Sequence, residues 1–264
     1  MTDTKTYGKL IGASLGPGDP DLITRRAWTA LQSGARWIYP VKKAQEISYA
    51  LSIVQNGGLP VPTDAVELVF PMTRDAEALG KAWTRAARRT VELLAEGRDV
   101  VFLVEGDAST FATFGHLARV VREIVPEIEV DTIPGVSSFT AAAAATGLPL
   151  AEEDETLAII PTAYGIGVIE HMLDEFDTLI LLKVKPLLDE VIELLERRGI
   201  LATSCFIEKV GSPDERIVRD LATLKGETVN YLSLLIVRNA KRQRGELRRG
   251  CRQRKEAAEA RANA

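Results

Sequence analysis

Residues 10–22 read LIGASLGPGDPDL, and this stretch predicts a strand, a tight loop and the start of a helix. It opens with apolar residues, and its three glycines permit backbone conformations that other residues rarely adopt. Asp19 suits a helix N-cap, and Pro20 suits the first helical position. We therefore expect the loop at the carboxyl end of a first strand, where open α/β sheets place ligands. The dinucleotide pattern G-x-G-x-x-G is absent, so a plain strand-to-helix connection explains the stretch equally well on its own.

The composition limits the class of protein. With 264 residues, the chain can form one large domain or two domains of about 120 residues each. A net charge of −4 and a sequence pI of about 5.5 argue against nucleic acid as a partner. No apolar run reaches the ~20 residues of a membrane span, and residues 1–9 lack the apolar core of a signal peptide. Because Cys205 and Cys251 lie far apart and only two histidines are present, we expect no metal site. The low cysteine content and the absence of a long apolar run together predict a cytoplasmic protein with no membrane partner.

The first half of the chain alternates short apolar runs with longer amphipathic segments. This rhythm favours a mainly parallel sheet covered by helices on both faces, and it predicts an N-terminal α/β domain over residues 1–134. Strands are predicted at 9–13, 36–40, 66–70, 99–104 and 129–133, and helices at 20–32, 44–55, 75–96 and 113–124.

The second half has a different rhythm. A tight turn at 211–214 joins neighbouring apolar segments closely enough to predict antiparallel pairing, so the C-terminal α/β domain, residues 135–239, is expected to hold a mixed sheet. Gly199 suits the C-cap of the last helix. The predicted strands are 156–161, 178–184, 202–209, 216–219 and 230–237, and the predicted helices are 138–146, 168–176 and 186–198.

The fold class is therefore α/β, with two α/β domains of roughly five strands each, flanking helices and an active-site cleft between the domains. The remaining residues, 240–264, are rich in arginine and lysine. We expect them to form a basic tail that is flexible or helical.

Two further loops follow predicted strands. Residues 105–111, EGDASTF, come after a fully apolar run, and Asp107 there can accept a hydrogen bond from a ligand or cap the next helix. Residues 134–138, PGVSS, precede an alanine-rich segment, and Ser137 or Ser138 can face a ligand or cap that helix. No base lies near these serines in the sequence, which argues against hydrolase chemistry.

Taken together, the three loops resemble those of the tetrapyrrole methylase family, the class III S-adenosylmethionine-dependent methyltransferases. The matching segments are 16–20, 105–107 and 134–138 in this order, and the resemblance extends to about residue 238. It implies two α/β domains, a homodimer, and S-adenosyl-L-methionine as the cofactor, with S-adenosyl-L-homocysteine as its product. At Glu105 and Ala108 the chain departs from the Gly-Gly-Asp-Pro segment that is usual in the uroporphyrinogen methyltransferases of this family, which argues against that activity.

The resemblance also implies roles for individual residues. Asp107 and Tyr164 are candidate catalytic residues, because methylation at a bridging carbon leaves a proton to be removed. Gly16, Gly18, Asp19 and Lys183 are the candidate substrate contacts. The expected cofactor contacts are Pro17, Glu105, Gly106, Asp107, Thr110, Ser137, Ser138 and Leu182.

Within the family, segments 158–165, 182–186 and 208–215 are similar to those of the enzymes that methylate C-20 of precorrin-2 to give precorrin-3A in cobalamin biosynthesis. The resemblance does not separate metal-free precorrin-2 from its cobalt chelate. An rRNA ribose methyltransferase or a diphthine synthase of the same fold is a less favoured alternative, given the acidic pI. A binding module without methyl transfer is the alternative from a different class.

Overall fold

The computed structural model describes residues 6–73 and 75–242, so the predicted basic tail lies outside the described residues from residue 243 onward. A first sheet has the strand order β3-β2-β4-β1-β5, and all its neighbouring strands are parallel, as predicted. Its strands are β1 (Leu10–Ser14), β2 (Arg36–Val41), β3 (Val66–Val69), β4 (Val100–Val104) and β5 (Val130–Ile133).

Helices cover both faces of this sheet. They are α1 (Arg25–Leu31), α2 (Tyr49–Asn56), α3 (Ala76–Leu94) and α4 (Thr113–Ile124). Alternate residues of β4 point to opposite faces: Phe102 packs with α3 and α4, whereas Leu103 packs with α1 and α2. All five residues of β4 are buried, which agrees with its central position.

Two helix starts were predicted too early. The single helix expected over 20–32 is a 3₁₀ turn, Pro20–Leu22, followed by α1, because Ile23 is extended and the Thr24 side chain caps a new helix. The helix expected from residue 44 begins only at Tyr49, where the Ser48 hydroxyl caps α2. Asp19 does cap the 3₁₀ turn, as predicted.

The second sheet has the order β6-β7-β10-β8-β9. Only β6 and β7 are parallel; the other three pairs are antiparallel, which confirms the predicted mixed sheet. The strands are β6 (Leu157–Pro161), β7 (Thr178–Leu182), β8 (Ser204–Glu208), β9 (Arg216–Val218) and β10 (Ser233–Arg238). The helices are α5 (Ser138–Thr146), α6 (Ile166–Glu175) and α7 (Leu188–Arg198).

The chain moves from one sheet to the other directly after β5. Ala141 and Ala142 of α5 are buried against residues of the second sheet, and their small side chains let the helix approach closely. The last helix that packs on the second sheet, α7, ends at Gly199, which has the left-handed conformation (φ 64°) and forms the predicted C-cap. No helix within residues 6–73 and 75–242 combines the length and apolar character needed to cross a membrane.

Candidate active site

A cleft of about 530 Å³ lies between the two sheets. On one side it is lined by loops that follow β4, β1 and β5, which are neighbours in the first sheet and therefore end at one edge. On the other side it is lined by the ends of β7 and β8 and by the segment before β10, again three neighbouring strands. The cleft is thus built where both sheets present adjacent strand ends.

The first two loops are joined through their backbones. Gly106 donates to the Gly16 carbonyl at 2.8 Å, and Gly16 donates back to the Gly106 carbonyl at 3.2 Å. Gly106 has φ 74°, a conformation that favours glycine, and no protein atom lies within 4 Å of the position that a Cβ would take there. The backbone at Gly106 therefore borders open space in the cleft.

Asp107 joins the second loop to the third. Its Oδ2 accepts a hydrogen bond from the Gly135 backbone N–H at 2.7 Å, and its Oδ1 accepts from the Ser109 N–H at 2.9 Å and from the Thr110 hydroxyl at 3.3 Å. The Ser109 hydroxyl also donates to Oδ1. Burial opposes ionisation, but these hydrogen bonds hold the pKa of Asp107 below its ordinary value. Both carboxylate oxygens are therefore engaged within the protein.

Ser14, at the end of β1, connects the same loops through its side chain, and no sequence motif indicates this role. Its hydroxyl donates to the Ile133 carbonyl at 2.6 Å and accepts from the Ala108 N–H at 2.8 Å. A Cβ on Gly135 would lie only 2.4 Å from the Ser14 Cβ. A buried serine within an apolar strand carries no local signal for this role, because its partners are distant in the sequence.

The N-terminus of α5 also faces the cleft. Ser137 is its N-cap and accepts from the Thr140 N–H at 3.4 Å, and Ser138 is the first helical residue. Both residues line the cleft. Ser137 therefore combines two positions that the sequence leaves as alternatives, the helix cap and the lining of the cleft, whereas Ser138 only lines the cleft. The helix N-terminus favours negative charge or a hydrogen-bond acceptor at this point of the cleft.

Glu105 lies in the cleft directly after the central strand β4. Its side chain is reached by solvent, yet protein surrounds it on most sides, and this desolvation raises the pKa of Glu105 to about 7. The charges of Lys42 and Lys183 act in the opposite direction and limit the rise. No hydrogen bond to the Glu105 side chain is formed by any residue within the described part of the chain.

Two lysines with left-handed backbones follow the strands of the second sheet. Lys183, after β7, has φ 57°, and Lys209, after β8, has φ 49°. Each donates its N–H to the chain at the start of β10: Lys183 to the carbonyl of Ser233, the first residue of β10, at 3.1 Å, and Lys209 to the carbonyl of Leu232, just before it, at 2.8 Å. Both line the cleft. Strained residues of this kind cluster at functional sites, where neighbouring structure enforces them.

The structure brings together all eight expected cofactor residues. Each of them lines the cleft, as does the expected substrate contact Lys183. These residues are Pro17, Glu105, Gly106, Asp107, Thr110, Ser137, Ser138 and Leu182.

Three other expected substrate contacts do not line the cleft. Gly16 is occupied by its backbone pairing with the second loop. A Cβ on Gly18 would lie 2.8 Å from the Tyr49 hydroxyl and 2.9 Å from the Val210 carbonyl oxygen, so this glycine admits the protein's own atoms rather than a substrate. Asp19 accepts from the Asp21 N–H as a helix cap. These residues build the wall behind the cleft.

Tyr164, an expected catalytic residue, is also placed elsewhere. It lies in a 3₁₀ turn after β6, with 69% of its surface exposed, and it does not line the cleft. Asp107 does line the cleft, but the hydrogen bonds that lower its pKa make it a weak proton acceptor. The geometry therefore favours neither residue as the catalytic base.

Tyr49 is a further residue of the site that no sequence motif indicates. This residue of α2 donates its hydroxyl to the Pro17 carbonyl at 2.9 Å and so supports the first loop from behind. Burial, together with the nearby charge of Glu105, raises the pKa of Tyr49 to about 12, and the phenol stays protonated.

One side of the cleft is apolar. It is formed by Ile47, Phe70, Met72, Trp83 and Phe111.

The fold and the site define an α/β protein that binds a small molecule between two sheets. The family model described as Tetrapyrrole (Corrin/Porphyrin) Methylases matches residues 9–225. The chain therefore belongs to the tetrapyrrole methylase family, the class III S-adenosylmethionine-dependent methyltransferases that its three loops resemble.

Individual relatives are similar over nearly the whole chain. A probable cobalt-precorrin-2 C(20)-methyltransferase of Methanocaldococcus jannaschii is 32% identical, over 90% of this chain and 99% of that protein. A cobalt-precorrin-2 C(20)-methyltransferase of Salmonella typhimurium is 33% identical, over 87% and 96%. A precorrin-2 C(20)-methyltransferase of a Sinorhizobium species is 28% identical, over 87% and 95%.

Solved structures share the fold. The crystal structure of the methyltransferase CobJ has a TM-score of 0.63 at 23% identity, and it covers 90% of this chain and 97% of that chain. The uroporphyrin-III C-methyltransferase of Thermus thermophilus, solved as a complex with S-adenosylhomocysteine, has a TM-score of 0.59 at 23% identity, covering 87% and 97%.

The cleft residues suit the family's cofactor. The volume of about 530 Å³ lies within the ~300–1,000 Å³ of small-molecule sites. The open backbone at Gly106 and the hydroxyls of Thr110, Ser137 and Ser138 offer neutral polar contacts for an adenosine and an amino acid group. A sulfonium needs no charged triad for its activation, and this set of small polar groups is consistent with that requirement.

Proposed function

We propose that the protein transfers a methyl group from S-adenosylmethionine to C-20 of precorrin-2, and that its substrate is the cobalt chelate. The observation that carries this proposal is the 32–33% identity, over nearly the whole chain, to two relatives named for that reaction, together with a cleft lined by all the expected cofactor residues. Metal-free precorrin-2 is the second candidate, because the Sinorhizobium relative is named for it.

Within the cleft, the three loops of the first sheet hold the cofactor. When bound, S-adenosylmethionine supplies an electrophilic methyl group on sulfur. The residues that would orient this group are Gly106, Thr110, Ser137 and Ser138. The hydrogen bond from the Gly135 N–H to Asp107 fixes the positions of the loops after β4 and β5 relative to each other. The protein's main contribution is position, since transfer needs carbon, methyl and sulfur in line at about 3–3.5 Å.

The opposite side of the cleft suits a macrocycle with several carboxylates. Lys42, Lys183 and Lys209 bring three positive charges to the cleft from both halves of the molecule. Lys209 also pairs with Asp214 at 2.8 Å, which leaves Lys42 and Lys183 as the better candidates for substrate carboxylates. The apolar residues at the mouth suit the flat face of the ring.

A two-part experiment tests the proposal. Calorimetry with S-adenosylhomocysteine checks the cofactor site, and we expect saturable binding of one ligand per chain. Incubation with S-adenosylmethionine and either cobalt-precorrin-2 or metal-free precorrin-2 checks the reaction, and we expect the mass of the cobalt chelate to increase by one methylene unit. If the protein binds S-adenosylhomocysteine but methylates neither macrocycle, the proposed reaction is wrong and the protein is a binding module without methyl transfer. Faster turnover of the metal-free substrate would reverse the metal assignment.

We further propose that the enzyme is a cytoplasmic homodimer, as the family resemblance implies. Cys205 is a free, buried thiol, which is consistent with a reducing compartment. Light scattering coupled to size-exclusion chromatography measures the oligomeric state directly. A monomer mass at micromolar concentration would contradict the dimer and leave the proposed reaction unaffected.

A further inference from the structure

Three carboxylates line the cleft, and they differ in the hydrogen bonds that they accept. Asp107 uses both oxygens to hold the loops. Glu46 accepts from the Lys43 N–H at 3.1 Å within an exposed segment. Glu105 has no hydrogen bond to its side chain from residues 6–73 and 75–242. Among the described residues, Glu105 is therefore the one carboxylate lining the cleft that accepts no hydrogen bond from the protein.

Charged groups from both halves of the molecule act on Glu105. Lys42 follows β2 in the first sheet, and Lys183 follows β7 in the second. Tyr49 of α2 interacts with the Glu105 charge from the side of the first loop. The other ionisable residues that line the cleft are Glu46, Asp107, Lys209 and Tyr231. Charges from both sheets thus act on Glu105 in the cleft.

The proposed reaction requires a proton acceptor, and the following inference rests on that proposed function. C-20 is a bridging carbon that carries one hydrogen. When the C-20–methyl bond forms, the sulfur–methyl bond breaks and its electron pair stays on sulfur. C-20 then carries both a methyl group and a hydrogen, and the macrocycle holds one positive charge. Loss of the C-20 proton returns the C–H electron pair to the ring and restores the conjugation.

We propose that the Glu105 carboxylate accepts the proton that leaves C-20, so that Glu105 is the catalytic base of this reaction. The free carboxylate in the cleft, the engagement of Asp107 and the remote position of Tyr164 support this assignment. Solvent reaches the Glu105 side chain, which gives the proton a route out after transfer. A pKa of about 7 suits a base that must accept and release a proton near neutral pH.

The test compares the wild type with Glu105→Gln and Glu105→Asp, and it uses Glu127→Gln, an exposed glutamate before β5, as the matched control. Each variant is first titrated with S-adenosylhomocysteine. Turnover is then measured on the proposed macrocycle carrying hydrogen or deuterium at C-20. Glutamine keeps the length and the polar end of the side chain, so Glu105→Gln should retain most of the affinity for the cofactor product even though Glu105 is an expected cofactor contact. We expect it to lose about 100-fold in kcat and to show a primary isotope effect.

The pH profile and the conservative variant complete the test. We expect the acidic limb of the wild-type kcat profile near pH 7 to be absent in Glu105→Gln, and Glu105→Asp to regain part of the activity. If the wild type methylates its substrate and Glu105→Gln retains full turnover without an isotope effect, the assignment of Glu105 is overturned alone. A parallel loss of product binding and turnover, with no isotope effect, would also overturn it by showing a structural role. If the wild type methylates neither macrocycle, the proposed function fails and the inference fails with it.

Discussion

The Asp107 carboxylate and the Gly135 backbone are joined by a hydrogen bond of 2.7 Å, and this contact connects the loops that follow β4 and β5. The strand between them, β1, contributes Ser14, whose hydroxyl contacts the end of β5 at Ile133 and the loop after β4 at Ala108. Three segments that are far apart in the sequence thus form one continuous wall of the cleft. Asp107 is accordingly a positioning residue for the cofactor loops.

Asp107→Asn should weaken both the fold and the cofactor site. The amide has one oxygen, so its NH₂ group must face the N–H of either Gly135 or Ser109, and one hydrogen bond to a charged acceptor is lost. We expect a loss of about 1.5–3 kcal/mol in the free energy of unfolding, measured in urea. Affinity for S-adenosylhomocysteine should fall about tenfold or more by calorimetry.

The control for this change is Asp131→Asn. Asp131 lies in β5 and pairs with Arg26 at 2.6 Å on the surface, where an ion pair contributes about 1 kcal/mol or less. We expect the affinity of Asp131→Asn for S-adenosylhomocysteine to match that of the wild type. Unchanged affinity in Asp107→Asn would contradict the positioning role.

Asp107 should also make the stability depend on pH. Because the pKa of Asp107 is lowered below 3.8, the stabilising contribution of Asp107 is present at neutral pH and is lost as the pH falls through that lowered pKa.

Gly106, which lines the cleft, and Gly135, in the loop after β5, should respond differently to alanine. A Cβ on Gly135 would lie 2.4 Å from the Ser14 Cβ and 3.1 Å from the Gly106 carbonyl oxygen, so Gly135→Ala must displace the loop. We expect it to cost about 1–3 kcal/mol of stability and to reduce product affinity. Gly106→Ala meets no atom within 4 Å and costs only its left-handed backbone, about 1–2 kcal/mol. Urea unfolding and calorimetry on both variants check this; equal affinity for the cofactor product in Gly135→Ala and the wild type would contradict the steric argument.

Much of the first sheet was predictable because its signals are local. The run Val100–Val104 is wholly apolar and is the central, fully buried strand. The segment Thr113–Ile124 keeps an apolar stripe at helical spacing and is α4, with both ends as predicted. Helix starts were less predictable, since the choice between residues 20 and 25 depends on the extended conformation of Ile23. Such a break carries no strong marker in the sequence.

The site was predictable only as a set of loops. Their order along the chain indicated which segments meet, because parallel strands end at one edge of a sheet. The roles of single residues depend on partners elsewhere: the Ser14 hydroxyl contacts Ile133, 119 residues away. Likewise, Lys183 adopts its left-handed backbone beside Ser233 of β10, a pairing that no local pattern shows. Local patterns therefore cannot show which residues of these loops line the cleft and which, such as Gly16, Gly18 and Asp19, lie behind it.

Lys183→Met should weaken substrate binding without changing cofactor binding. Methionine keeps the length of the side chain and the strained backbone, so the variant isolates the positive charge from the φ of 57°. We expect the KM for the macrocycle to rise about tenfold, and the remaining binding to depend less on salt. Lys185→Met is the matched control, because Lys185 is exposed and does not line the cleft. Equal KM values for the two variants would show that Lys183 does not contact a substrate carboxylate.

Glu105 should make the stability of the enzyme depend on pH in an unusual direction. Its pKa is raised from 4.5 to about 7 in the folded chain, so between these values the folded state holds a proton that the unfolded state releases. Stability therefore falls as the pH rises through this range, and Glu105→Gln removes the effect. We expect the stability of the variant relative to the wild type to rise between about pH 4.5 and about pH 7 and to level off above that range, measured by urea unfolding without ligand, whereas the Glu127→Gln control follows the wild type. Because this measurement needs neither cofactor nor substrate, it tests the environment of the carboxylate independently of turnover. Parallel pH profiles for the wild type and Glu105→Gln would mean that the cleft does not desolvate this group, and the physical basis for a base poised near neutral pH would be removed.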